Sequence, residues 1–413
     1  MEFLEEMRPM FSCMSLLGLF HAPCKAKPRL TPIEMDAEHK AKAEDESSAG
    51  LPARDRRPRR SRAPGGSWWF CLLVCFLTWF QFLRFLPSYW VSVEHHANLL
   101  QNRIIITFWY LQCALNATVM YKACSRQDQL QEFFRLSRDF CKKFPTHRPN
   151  QHQVKRLRRR TTVTVAISWI FNVLNVLIVV VSFSELNEDF VRNTILFTDP
   201  FGTSIPSKVF AIFLLFFASS SWTFPITFSC AAASYVRLRF NTLTVNLETA
   251  VTGSKTYFPL ELEVYRRQHL QLCACVRVLD RTLQRLIMTS YVTNVPLTCF
   301  IMYRLVVSPP QAFELGMLIF WLVVNCLNVF FISVWAALVH ESACSPVDCL
   351  YEVFTSGATQ EHLTQLQLFV SRVTGPSVGF TAMGIVTVTK EMVLTLCGIL
   401  ITYFVLLLQY RID

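Results

Sequence analysis

No catalytic motif is present: the chain lacks a glycine-rich phosphate loop, a His-Glu-x-x-His pair and a nucleophile elbow. The sequence therefore reads as a non-enzyme with no cofactor. Metal ligation is equally unsupported, because no histidine completes Cys273-x-Cys275 or Cys344-x4-Cys349 at ligand spacing. Solvated side chains are the plainer reading of His95-His96. A cleaved signal peptide is not expected, since Glu2, Glu5 and Glu6 precede the short apolar stretch Met10–Phe20 where positive charge would be needed. An interfacial helix is the expectation there. Residues 22–66 are rich in Pro, Ala, Ser and opposed charges, too little apolar to fold, so a disordered cytoplasmic segment is expected over most of 1–66.

Apolar residues, by contrast, are in excess. They make up 52% of 413 residues, with 35 Phe, more than one soluble core hides. A spanning helix needs about 20 mostly apolar residues. Seven runs meet that length: 68–86, 104–121, 161–183, 209–236, 286–307, 313–339 and 392–409. Pro225 and Pro296 lie inside two of them and predict kinks.

Lys and Arg fix the expected orientation, because cytoplasmic loops accumulate them. Six arginines fall between Arg54 and Arg62, twelve basic residues lie in Lys122–Arg160 and eight in Arg237–Arg285, whereas the alternate connections hold very few. The N-terminus is thus expected inside and, after seven spans, the C-terminus outside. Residues 341–389 carry one Arg and four acids and give no charge signal of their own. The net charge of +11 is mainly this topology signal, with possible contact to anionic membrane lipids, and no nucleic-acid fold accompanies it. None of the 15 cysteines falls in an outer connection, so no outward disulfide is available.

The expected class is all-α: a polytopic membrane protein of seven helices with a helical cytoplasmic anchor region. Its segments are 1–66 (cytoplasmic), 67–236 (spans one to four), 237–285 (anchor helices), 286–340 (spans five and six), 341–389 (anchor segment) and 390–413 (last span). Apolar side chains among charged ones at helical spacing over 261–286 and 360–370 read as amphipathic helices, and their role as an anchor is what the family resemblance given below implies.

Polar residues inside spans face the bundle interior, a partner or water. Asn172, Asn175, Trp222, Asn294 and Asn325, with Trp109, Tyr303 and Trp321 near outer span ends, form a candidate outward-opening ligand pocket. Interhelical hydrogen bonds and an interfacial aromatic belt would explain the same residues singly. In the last span, Thr402, Tyr403, Leu406, Gln409 and Tyr410 share a stripe at helical spacing, which is either a buried packing face or, in a symmetric oligomer, the lining of a pore. A transporter is disfavoured by the lack of an internal repeat and of mid-span ionisable residues.

The closing stretch Phe380-Thr381-Ala382-Met383-Gly384-Ile385, then Lys390-Glu391, then Thr402-Tyr403-x5-Gln409-Tyr410, resembles the C-terminal region of insect gustatory receptors. Leu16-Leu17-Gly18-Leu19-Phe20 resembles that family's start, while Tyr410 replaces its usual Phe. The resemblance implies a tetrameric ligand-gated non-selective cation channel in the plasma membrane of sensory neurons, related to insect odorant receptors. It implies a homo- or heterotetramer with other gustatory receptors, opened by a small-molecule tastant and passing monovalent and divalent cations. Gln409 would sit at the narrow outer pore, Leu406 and Tyr410 as apolar gate residues, and Thr402 and Tyr403 at the helix interface below. Sugar-sensing members tend to carry Glu after the terminal Thr-Tyr; Phe404 stands there, pointing towards a bitter or other stimulus. The alternatives are a seven-helix receptor signalling through a partner protein, and a sensor of light, heat or an internal metabolite.

Overall fold

The computed structural model describes residues 5–20, 66–89, 97–125, 130–145, 149–182, 204–253, 261–307, 312–353, 355, 358–375 and 377–412. The expectations for the charged stretch 22–65 and for His95-His96 lie outside the described residues. The helices are α1 Arg8–Leu16, α2 Gly66–Phe85, α3 Ala97–Ser125, α4 Leu130–Lys143, α5 Gln151–Ser182, α6 Ile205–Gly253, α7 Leu262–Val307, α8 Ala312–Cys344, α9 Pro346–Tyr351, α10 Gln360–Thr374 and α11 Lys390–Ile412. Seven of them, α2, α3, α5, α6, α7, α8 and α11, are long and apolar enough to cross a membrane. The class is thus the expected all-α, seven-helix one, with a single small departure. Thr381–Ala382 pairs antiparallel with Val386–Thr387 in a two-strand hairpin immediately before α11.

Two helices far exceed a bilayer. With 49 and 46 residues, α6 and α7 are each about 70 Å long, against a hydrocarbon thickness of roughly 30 Å. Pro225 and Pro296 sit inside these continuous helices. The half of α7 that carries Arg266, Arg267, Arg277, Arg281 and Arg285 therefore projects beyond the spanning part. Against it packs α4, whose buried residues Leu130, Phe133, Phe134, Ser137, Phe140 and Cys141 recur at three- and four-residue intervals. The basic charge of that connection hid this helix from a hydropathy reading.

The N-terminal stretch departs from the interfacial-helix expectation. Met10, Phe11 and Met14 of α1 are buried in the main core, and the Phe11 ring meets Phe134 at 5.8 Å and Phe228 at 6.2 Å. The cause is chemical complementarity with the bundle: Thr161 Oγ1 donates to Met7 Sδ at 3.3 Å, and Trp169 Nε1 donates to Cys13 Sγ at 3.4 Å. Gly18 ends the helix with φ +67°, and a Cβ there would lie 2.5 Å from a Val74 methyl, so only glycine allows both the turn and the close approach to α2.

A second buried cluster builds the projecting region from Leu247, Val251, Leu262, Tyr265, Leu350, Val353, Phe369 and Val373. At its edge His269 is fully buried between Phe240 and Phe369, each 5.6 Å away, and its Nε2 donates to the Ala343 carbonyl at 3.0 Å. Burial holds this imidazole below its usual pKa. The neutral ring fits the fold, while the unfolded chain takes a proton near pH 6.5, so this contribution is complete above that pH and lost as pH falls. The expected result is a melting temperature of the purified protein that falls between pH 7.5 and 5.5, and a flatter dependence for His269→Gln.

Candidate functional site

Aromatic and aliphatic residues on four spans, with Asn325, line a partly open cavity, about 260 Å³ of empty space counting its open side: Ile105, Ile106, Trp109, Trp222, Leu297, Ile301, Trp321 and Asn325. Four of these, Trp109, Trp222, Trp321 and Asn325, are among the pocket residues expected from sequence. Spacing explains the convergence. Residues 105 and 109 lie one turn apart on α3, as do 297 and 301 on α7 and 321 and 325 on α8. The indoles of Trp109 and Trp222 meet edge to face with centroids 5.9 Å apart. Trp321 is positioned from behind, its Nε1 donating to Asn175 Oδ1 at 3.1 Å, while Asn325 Nδ2 donates to the Trp321 carbonyl at 2.8 Å.

The remaining candidates fall elsewhere. Asn172 Nδ2 donates to Ser220 Oγ at 2.7 Å and ties α5 to α6. Asn294 is fully buried one turn from Leu297, and half-buried Tyr303 is not part of the cavity wall. The four aliphatic wall residues escaped the sequence reading because Ile and Leu in an apolar run look alike whether they face lipid or a cavity. For Ile105 and Ile106 the only signal was sharing a helix stripe with Trp109.

One turn beyond the cavity, the three helices are joined by a buried polar knot. Arg304 Nη2 donates to Glu314 Oε1 at 2.9 Å, and Asn102 Nδ2 donates to the same oxygen at 3.1 Å. Asn102, Arg304 and Glu314 are all buried, so this knot holds the ends of α3, α7 and α8 together over the cavity.

The last helix is built differently from the others. Val393 is buried and Met392, Leu396, Cys397, Leu400, Tyr403 and Leu407 are half-buried, a single stripe that packs against α7 and α8. Tyr403 Oη donates to the Cys299 carbonyl at 3.4 Å. Tyr403 consequently faces its own chain, apart from Thr402, Leu406 and Gln409, which are exposed together with Leu394, Ile399, Ile401 and Val405. Only 6% of the apolar window of α11 is buried, against 28–72% in the other six spans. The side chain of Tyr410 is outside the described residues.

The start of α11 is clamped. Asp280 on α7 accepts from the Thr381 backbone N–H at 2.7 Å and its hydroxyl at 2.8 Å, and the Met383 N–H donates to the Gln284 carbonyl at 3.3 Å. Lys390 pairs with Glu341 of α8 at 2.6 Å. The hairpin turn places Met383 at φ 56° and Gly384 at φ 75°, the pairing that a two-residue turn with both central residues left-handed requires. Short polar contacts thus tie the base of α11 to both α7 and α8. No group of three or more metal-ligating side chains occurs among the described residues.

Residues 7–413 match the family model described as 7tm Chemosensory receptor. Among curated proteins, the chain is similar to "Gustatory receptor for sugar taste 61a" of Drosophila melanogaster, 24% identical over 146 residues. That match spans 35% of this chain and 32% of the relative's length. Among solved structures, the fold is that of the insect olfactory receptor OR5 from Machilis hrabei, with TM-score 0.67, 15% identity and coverage of 91% of this chain and 100% of that one. The same receptor in complex with eugenol superposes with TM-score 0.70 at 14% identity, covering 99% of this chain and 100% of that one.

Proposed function

We propose, from the premise that this chain belongs to the 7tm chemosensory receptor family, that it is a subunit of a tetrameric ligand-gated cation channel opened by a small molecule from outside the cell. The observation that carries this reading is the last helix, uncovered along Thr402, Leu406 and Gln409 and the least buried of the seven spans, with 6% of its apolar window covered by its own chain. Lipid covers the outward faces of the other spans, but α11 leaves most of its circumference open, so symmetric copies meeting along one side of it would enclose a pore lined by one stripe from each. In this reading the plasma membrane holds the channel with its N-terminus inside and its C-terminus outside, and residues 237–285 and 341–389 form the cytoplasmic anchor.

The cavity is the ligand site of this reading. Its wall is apolar and aromatic, with Asn325 as its polar member. That lining suits a small ring-bearing molecule. It does not suit a sugar, whose many hydroxyls would go unpaired there, so the name of the Drosophila relative is not carried over to this chain. Ligand binding between α3, α6, α7 and α8 would favour the arrangement of α7 and α8 in which the clamped base of α11 shifts. Each site can contribute only its difference in affinity between closed and open states, about 1–3 kcal/mol, so occupancy of several sites acts on one gate.

Recording from cells that express this chain alone, with a panel of small aromatic compounds and sugars, tests the proposal. The expected result is a cation current evoked by aromatic compounds and abolished in Trp222→Ala, with a tag appended after Asp413 stained on unpermeabilised cells. No current from any compound, or staining only after permeabilisation, would sink the channel reading.

A further inference from the structure

We propose that the cavity continues inward into a polar subsite formed by Gln112, Asn116 and Asn294, which takes a hydroxyl carried on a short arm of the ring-bearing ligand. The inference rests on the reading that the cavity holds the ligand. Residues 105 and 109 line the cavity from α3, and 112 and 116 continue that stripe at the next three- and four-residue steps. Residues 301 and 297 line it from α7, and 294 is the next step of that stripe. The two helices run antiparallel, with Phe108 facing Phe300 at 5.8 Å, so Gln112 and Asn294 come to one level, a single turn below the cavity. Gln112 and Asn294 are completely buried and Asn116 is 1% exposed. Neither the nitrogen nor the oxygen of any of the three amides has a hydrogen-bond partner.

A buried amide without a partner is unfavourable, and here three lie within about one helical turn of each other, on the stripes that line the cavity. Carboxamides present both donors and acceptors and no charge, which matches a neutral hydroxyl better than a carboxylate or an ammonium group. The rise of one helical turn, about 5.4 Å, is spanned by an arm of roughly three carbons. A ring in the cavity with such an arm places its oxygen among Gln112, Asn116 and Asn294. Selectivity then divides between two layers, with the tryptophans selecting the ring and the amides selecting the arm.

The test measures binding of 3-phenylpropanol, benzyl alcohol and propylbenzene to the purified full-length protein in lipid nanodiscs. The expected order puts 3-phenylpropanol about tenfold tighter than propylbenzene, the value of one well-made hydrogen bond, with benzyl alcohol, too short to reach, no better than propylbenzene. In Gln112→Met with Asn294→Leu the preference for 3-phenylpropanol falls to within about twofold while propylbenzene affinity stays unchanged, which also reports that the variant is folded. Asn116→Leu alone gives an intermediate preference. Equal affinity of wild type for the alcohol and the hydrocarbon, or a preference that survives the double variant, overturns the subsite and assigns the amides to internal hydration. Trp222→Ala weakens all three probes alike and examines the cavity separately. Failure of every probe to bind wild type overturns cavity and subsite together.

Discussion

Glu314→Leu should strongly destabilise the receptor, by about 3–5 kcal/mol, because it strips Arg304 of the carboxylate it faces inside the bundle. Arg304 and Glu314 are 3% and 8% exposed, so neither charge is screened by solvent as a surface pair would be. The carboxylate also accepts from Asn102, so its loss unties α3 as well as α7 from α8. Breaking such a pair and replacing it have different consequences. Arg304→Met together with Glu314→Leu removes both charges of this pair and should recover most of the lost stability, since apolar pairs of similar volume often match buried ion pairs. Thermal unfolding of the purified protein measures both. A single variant as stable as the double one would mean that the knot contributes nothing beyond packing. Ligand response adds a second readout, because the knot lies one turn beyond the cavity, and loosening it should speed the decay of an evoked current even where the protein still folds.

The parts of the fold that were legible in the sequence are those dictated by lipid. Hydrocarbon thickness imposes run lengths, and the apolar runs coincide with the cores of α2, α3, α5, α6, α7, α8 and α11. Elements outside the lipid-like solvent were read less well, for a physical reason. Helix α4 is amphipathic, and its charged face cancels its buried Phe133, Phe134 and Phe140 in any average over the run. Met10, Phe11 and Met14 look alike whether a membrane surface or the interior of the bundle covers them, and only tertiary contacts with Phe134 and Phe228 distinguish the two. The hairpin at 381–387 depends on Asp280, about a hundred residues away in sequence, to hold Thr381. At the site, polar and aromatic residues stood out against apolar runs, which is why Trp109, Trp222, Trp321 and Asn325 could be picked. Ile105, Ile106, Leu297 and Ile301 could not, since nothing local tells a cavity wall from a lipid contact. Tyr403 shows the converse: its position on a polar stripe was visible, but its neighbour across the helix interface, the Cys299 carbonyl, was not.

Leu406→Ala should open the channel without ligand. In the proposed assembly, Leu406 is an exposed leucine of one subunit, 58% accessible, and four copies come together near the outer end of the last helix. A ring of leucines seals a pore by excluding water from a narrow apolar stretch, and the same contacts hold the helices in the closed arrangement. Full burial of a leucine side chain contributes roughly 1.5–3 kcal/mol. If truncation removes about 1 kcal/mol of closed-state preference from each of four copies, the sum is about 4 kcal/mol, close to a thousandfold shift towards the open state. A shift of that size turns a channel that is closed at rest into one that leaks. The expected record is a large ligand-independent cation current from cells expressing Leu406→Ala, little increased by ligand. Leu394→Ala provides the comparison, since Leu394 is also exposed on α11, at 72%, but lies three turns nearer the clamped base, away from the proposed constriction. It should weaken assembly without producing leak. Leak from both variants would mean that the exposed face acts as a whole, and leak from neither would remove Leu406 from the gate. In the same proposed assembly Gln409, one turn further out, would offer a partly dehydrated cation its amide oxygen, so Gln409→Leu should reduce current amplitude while leaving the resting state closed.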